Sequence, residues 1–328
     1  MPNPVARAVS LWLLLVTFFG GALSAAVRKE PEVASPLYGG ADPWYCEYDG
    51  AYYHCYSLGG GVGVKTASTV EGLASAPGTT VYTAPERGPY SRDYWAPELH
   101  RIGDKWYIYV AADDGDNRNH RMVVLRGEEP TGPFAMVGKL ADPADRWAID
   151  GTVLQTEGGL YFIWSGWAGE TDGEQSLYIA PMSSPTEISG ERVRISRPEY
   201  RWEKNGMPIN EGPAVLKRDG RVYLVYSASG SWTDDYCLGM LALCGSDPLR
   251  AENWAKCPVP VFRQRETAYG PGHCSFVSSP DGKTDYIVYH ANIESGTGWG
   301  GRSVRVQSFR WVLGAPVFGE PLAAEAFG

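Results

Sequence analysis

Positive charge is in short supply, with 29 Lys and Arg against 38 Asp and Glu in 328 residues, a formal net charge of −9. A protein that tracks phosphates needs a basic surplus, so a nucleic-acid partner is excluded. Cysteine is sparse as well: there are six, none at CxxC spacing, which leaves a zinc or redox motif without support. No Asn-x-Ser/Thr sequon occurs, so N-glycosylation is not expected. Helical periodicity is missing throughout, and beyond the N-terminus no apolar run approaches a transmembrane length.

What is present is apolar and aromatic: 44% hydrophobic residues, 12 Trp and 20 Tyr, with 40 Gly and 24 Pro scattered without period. That combination fills a core, excludes wholesale disorder and suits strands joined by tight turns. Residues 1–26 read as a secretory signal, with Arg7 in the n-region, an apolar run from Leu11 to Phe19, and Ser24-Ala25-Ala26 at the cleavage point. A signal anchor is the rival reading, but Gly20, Gly21 and Ser24 dilute the segment. The expectation is a secreted, extracellular protein with no membrane association after signal removal. Disulfides are permitted there, and Cys46 and Cys55, flanking the turn at Asp49-Gly50, are the expected bridge. Cys237 and Cys244 sit too close along one strand to bond each other.

The most informative feature is repetition. A small turn leading into an aromatic strand recurs as Asp49-GAYYHCYS, Gly103-DKWYIYVA, Gly158-GLYFIWSG, Asp219-GRVYLVYS and Asp281-GKTDYIVYH. With Tyr53, Tyr107, Tyr161, Tyr223 and Tyr286 as equivalents, the spacings are 54, 54, 62 and 63 residues. Five such units account for residues 27–328, and the period predicts radial sheets of about four strands, an all-β five-bladed β-propeller in a single domain. A β-sandwich would not explain the recurrence.

In a propeller the strand before each repeated turn lines the axis. Counting back 11 residues from the tyrosines gives Asp42, Ala96, Asp150, Gly212 and Ser275, with Glu211 one residue before Gly212. Any single acid of this kind serves well as a turn cap. Three converging on one cavity mouth are costly unless used. Glycoside hydrolysis uses such a set, with one carboxylate to activate water and another kept protonated to donate to the leaving oxygen. Trp95, one residue before the second-blade position, is a candidate sugar platform, with Trp44, Trp167 and Trp232 as weaker ones. The acidic stretch Asp113–Asn119 lacks the Glu and the alternation of an EF-hand loop and reads as a polar loop at the cavity rim.

Asp42 in ADPW, Asp150 in AIDGT and Glu211 in NEGP resemble the three catalytic motifs of glycoside hydrolase family 43. WAPELHRIGDKWYIYVAA (95–112), DDGDNRNHRMVVL (113–125) and YSASGSWTDDYCLG (226–239) are similar to the arabinofuranosidase side of that family. The resemblance runs from Asp42 to Phe318. It implies an inverting mechanism with Asp42 as general base, Glu211 as general acid, and Asp150 as the group that orients Glu211 and sets its pKa. It implies Arg302 as the cleft arginine, and His273 as a histidine on the axis that helps hold a Ca2+ or Na+ ion through waters, with no cofactor required. Cys274 departs from the polar residue usual after that histidine. Arg305 reads as a strand-edge ion-pairing residue.

The expected substrate is a plant cell-wall polysaccharide or oligosaccharide, arabinan or arabinoxylan, from which a monomeric α-L-arabinofuranosidase would release terminal arabinose. A β-xylosidase or endo-arabinanase would use the same acids. A non-catalytic sugar-binding propeller would need no base, acid and tuning carboxylate together. The Asn-Asp-Pro and Arg-Asp-Pro motifs of fructan-cleaving propellers are missing, since Asp42-Pro43 follows Ala41.

Overall fold

A computed structural model describes residues 37–324, so the secretory segment read at 1–26 lies outside the described residues. The described chain forms five antiparallel sheets and contains no α-helix. The inner strands are Trp44–Tyr48, Arg92–Ile102, Ala148–Thr156, Asn210–Arg218 and Tyr269–Ser278. Each packs against the inner strand of the next sheet, and the fifth returns to the first, which closes a five-bladed propeller.

The repeated aromatic segments are the second strands of the blades: Ala51–Ser57, Lys105–Asp113, Gly159–Trp167, Arg221–Ala228 and Asp285–Asn292. Their saturation with large residues follows from burial on both faces, because alternate side chains point into different inter-blade cores. Ile108, Val110 and Ala112 pack against first-blade residues such as Cys55 and Val64. Tyr107, Tyr109 and Ala111 pack instead against third-blade Phe162 and Trp164. The turns Asp49-Gly50 and Asp219-Gly220 have positive φ at both residues, as a two-residue hairpin between twisted strands requires.

That turn geometry overturns the expected disulfide. The two-residue loop pairs Tyr48 with Ala51, which places Cys46 opposite Tyr53 and Cys55 opposite Trp44. The two sulfurs are diagonal neighbours on one face, too far apart to bond. All six cysteines are free, and Cys46 and Cys55 pack as small apolar groups in the core between the first two blades.

The ring is sealed at its N-terminal end by Tyr38–Gly39, which adds the outer strand of the fifth blade by pairing with Val304 and Ser303. The strand Ala315–Val317 pairs with Arg310–Val312, and the chain beyond it docks on the same blade. There Arg305 corrects its strand-edge reading. It is fully buried and donates to the carbonyls of Leu322 and Asn292. Gln307 donates to the carbonyls of Phe318 and Glu320.

Candidate active site

Each inner strand has one left-handed residue at or near its cavity end. Asp42, Ala96, Asp150, Gly212 and His273 all have φ between 43° and 54°, the left-handed region. In the second to fifth blades the ladder skips there, between Trp95 and Glu98, Ile149 and Thr152, Glu211 and Ala214, and Gly272 and Ser275. A bulge breaks the in-out alternation of a strand, so two successive residues face one cavity. Hence Ile149 and Asp150 both line it, and Glu211 lines it beside Gly212.

Four of the five positions found by counting from the tyrosines are these left-handed residues. The fifth is His273, not Ser275. In each blade the left-handed residue lies four positions before the ladder partner of the aligned tyrosine, as for Asp42 with Cys46 and His273 with Val277. The turn at 279–284 is longer than the two-residue turns elsewhere and shifts the count by two. Ser275 instead ties the ring together, accepting from Tyr45 N–H (2.9 Å) and donating to the Pro43 carbonyl (2.9 Å).

The bulges surround a cavity of about 460 Å³ lined by Asp42, Asp150, Glu211, Trp95, His273 and Arg302 together with Trp147, Trp232 and Trp299. The sequence-read acids, Arg302, His273, Trp95 and Trp232 therefore meet in one place. Trp44 does not. Its indole N–H is bound to the Leu99 carbonyl (2.9 Å) and its ring lies on His100, between the first two blades. It stands two residues past Asp42, where alternation turns it away from the axis. Trp167 is also outside the cavity, stacked behind Trp147 at 4.7 Å.

The three carboxyls have different environments. Burial alone would raise Asp42, but His273, His290 and Arg302 outweigh it and hold the group well below the usual carboxylate range. Its Oδ1 lies 3.3 Å from Nδ1 of both imidazoles and 3.7 Å from the Arg302 guanidinium. Burial lowers both imidazoles, His290 to about 4, so the standing cation beside Asp42 is Arg302. Glu211 is pushed the other way, to about 7, chiefly by burial and further by the charge on Asp42. The Tyr236 hydroxyl, donating to Glu211 Oε1 at 2.8 Å, opposes that rise, as does Arg302. Asp150 is raised well above its ordinary value by burial, Glu211 and Asp42. Protons are therefore retained by the Asp150–Glu211 pair while Asp42 stays ionised.

Asp150 reaches the backbone next to Glu211, its Oδ2 accepting from Gly212 N–H at 3.0 Å. A β-carbon at Gly212 would stand 3.1 Å from His273 Nδ1, and one at Gly272 would stand 2.2 Å from the Tyr236 ring, so both positions need glycine. On the far side, Asn210 donates to Glu203, a fully buried carboxylate that also meets Lys256 Nζ at 2.6 Å and the Tyr226 hydroxyl at 2.9 Å. Glu211 is thus fixed through both of its chain neighbours.

Tyr236, His290 and Trp299 escaped the sequence reading. Tyr236 lay inside the quoted segment 226–239 and His290 closes the fifth repeat, and their rings stack at 5.7 Å and 4°, but no spacing marks a residue that reaches the axis from the end of a second strand or from a loop. Among the described residues no three His, Cys, Asp or Glu side chains are grouped to hold a metal. His273 turns Nδ1 to Asp42 at 3.3 Å, and the ion expected there is one held through waters, which needs no such group of direct ligands. No helix among the described residues is long and apolar enough to cross a membrane.

Residues 36–316 match the profile of Glycosyl hydrolases family 43. An extracellular exo-α-(1→5)-L-arabinofuranosidase of Streptomyces avermitilis is 39% identical over 300 residues, covering 86% of this chain and 62% of that protein. A protein of the same name from Streptomyces chartreusis is 35% identical over 286 residues, covering 84% of this chain and 87% of that protein. The chain thus spans less than two thirds of the first relative and most of the second. Among solved structures, an α-L-arabinofuranosidase from Lactobacillus brevis superposes with a TM-score of 0.83 at 34% identity, covering 89% of this chain and 98% of that one.

Proposed function

Because this chain belongs to glycosyl hydrolases family 43, we propose that it is a secreted, inverting α-L-arabinofuranosidase that releases terminal arabinose from arabinan or arabinoxylan. The observation that carries the reading is the convergence of Asp42, Asp150 and Glu211 on one cavity with Arg302 and Trp95, in surroundings that hold Asp42 low and push Glu211 to about 7. General-base and general-acid work require that split at one pH. Asp42 takes a proton from a water molecule as the water oxygen bonds to the anomeric carbon, and Glu211 gives its proton to the glycosidic oxygen as the bond between that oxygen and the carbon breaks. Asp150 holds the Gly212 amide and keeps negative charge from accumulating beside Glu211. Arg302 lies against Asp42, and Trp95 offers the sugar an aromatic face. The names of the two Streptomyces relatives support both extracellular location and exo-action on arabinofuranosides.

A water-mediated Ca2+ or Na+ at His273 is no part of this mechanism, and no step passes through one. A β-xylosidase or endo-arabinanase would use the same acids, so the substrate is decided by assay. The mature protein is offered α-L-arabinofuranosyl and β-D-xylosyl nitrophenyl glycosides and arabinan, and the anomer first released is read by NMR. Free arabinose released with inversion, and lost about 10²–10⁴-fold on arabinan in Glu211→Gln, is the expected result. The loss is smaller on the nitrophenyl glycoside, whose leaving group needs little protonation. Retention of configuration would overturn the mechanism, and turnover of xyloside alone would overturn the substrate.

A further inference from the structure

Trp95 rests on a buried imidazole. Whereas Trp147 stacks on another indole, the Trp95 ring lies 3.9 Å from the imidazole of His120, inclined by 30°. His120 is fully buried. Its Nε2 is 3.1 Å from the Asp93 carbonyl oxygen and its Nδ1 is 3.4 Å from the Asn117 carbonyl oxygen. A carbonyl only accepts, so the two contacts are both hydrogen bonds only in a ring with two N–H groups, an imidazolium. The acid that faces the ring is Asp113, whose buried Oδ2 lies 3.0 Å from Nδ1. The other Asp113 oxygen accepts from Gly115 N–H at 2.8 Å, which fixes the carboxylate.

We propose that His120, as an imidazolium balanced by Asp113, is a positioning residue that anchors the Trp95 platform from below by a cation–π contact. Burial and the neighbouring Asp93 raise the Asp113 carboxyl above its ordinary value, while the Gly115 N–H and His120 draw it back towards the carboxylate. Arg121, next in the chain, is turned away to Asp145 and the His120 carbonyl. Trp147 presents only an aromatic edge, 6.4 Å away. A desolvated cation under a tryptophan holds the ring more firmly than an apolar neighbour would. The exposed face of Trp95, 39% accessible, is thereby presented to the cavity in one orientation. Removal of the cation loosens a surface that contacts substrate and leaves the reacting carboxyls alone, so the effect belongs in KM. The kinetic part of this inference rests on the glycosidase reading, while the charge state of His120 does not.

The experiment has two arms. Long-range 15N–1H NMR of the wild-type protein near neutral pH is expected to show His120 with both ring nitrogens protonated, assigned by its loss in His120→Gln. A neutral ring with one bare nitrogen would overturn the proposal. Kinetics then compare His120→Gln, Asp113→Asn, Trp95→Phe and the His120→Gln/Trp95→Phe pair, each checked for native circular dichroism. His120→Gln is expected to raise KM roughly tenfold with kcat nearly unchanged, one cation–π contact's worth. In the Trp95→Phe background it should add far less than that. Equal effects in both backgrounds, or a fall in kcat alone, would sink the idea. If the wild type turns over no glycoside, the activity reading has failed by itself, and affinity for arabino-oligosaccharide replaces KM in the same cycle.

Discussion

The chemistry turns on the protonation of single side chains, and Glu211 is the one that titrates where an assay can see it. A general acid must be protonated, so kcat/KM on a polymeric substrate is expected to fall as pH rises through about 7. Asp42 is held low and should add no limb in the neutral range. Tyr236 donates to Glu211 and favours its ionised form, so Tyr236→Phe should move that limb to higher pH, by about one unit. A pH–rate profile of the two proteins checks both statements. The same shift appears in stability. Glu211 binds a proton more tightly folded than unfolded, so the stability it contributes is fully present below its ordinary value of 4.5 and is lost as pH rises through about 7. Glu211→Gln abolishes that loss. The variant should melt above the wild type in alkaline buffer and together with it in acid, as measured by calorimetry across pH.

At the scale of the strand, the device that builds the site is a left-handed residue near the cavity end of each inner strand, repeated five times, filled by different residues and joined by a bulge in the second to fifth blades. Asp and His tolerate that conformation better than most side chains, and Gly212 tolerates it best while leaving room for His273. Gly212→Ala therefore combines backbone strain of about 1–2 kcal/mol with displacement of the imidazole beside Asp42. Lowered thermal stability together with reduced kcat is the expected outcome, checked by melting and initial rates. These positions were legible because the turn-to-strand repeat fixes a constant offset wherever the hairpin is short. Where the turn at 279–284 is longer, counting picked Ser275 and the bulge chose His273. Trp44 failed for a related reason: proximity in sequence to Asp42 does not survive the alternation of a strand, which sent it between blades.

For the whole molecule the question is how a ring of five sheets closes and keeps its acids facing each other. The first and fifth blades meet through Tyr38–Gly39 at the outer edge and through Ser275 at the axis. Ser275→Ala would leave the buried Tyr45 N–H and Pro43 carbonyl without their partner, at a cost of about 1–3 kcal/mol. Because Pro43 adjoins Asp42, activity should fall along with the melting temperature, and a variant that melts lower with unchanged kcat/KM would separate ring closure from the site.

The amino-acid sequence alone determined the architecture and where the three acids meet, because both follow the repeat: near-regular spacing of aromatic strands makes five blades, one shared offset brings Asp42 and Asp150 to the axis, and Glu211 comes there one residue before that offset. Only the tertiary structure decided the rest. Tyr236, His290 and His120 act across blades and loops that no local count connects, and the split between an ionised Asp42 and a protonated Glu211 comes from burial and from charges brought near by folding. The free cysteines were decided the same way, since a two-residue turn sets a register in which Cys46 and Cys55 cannot meet.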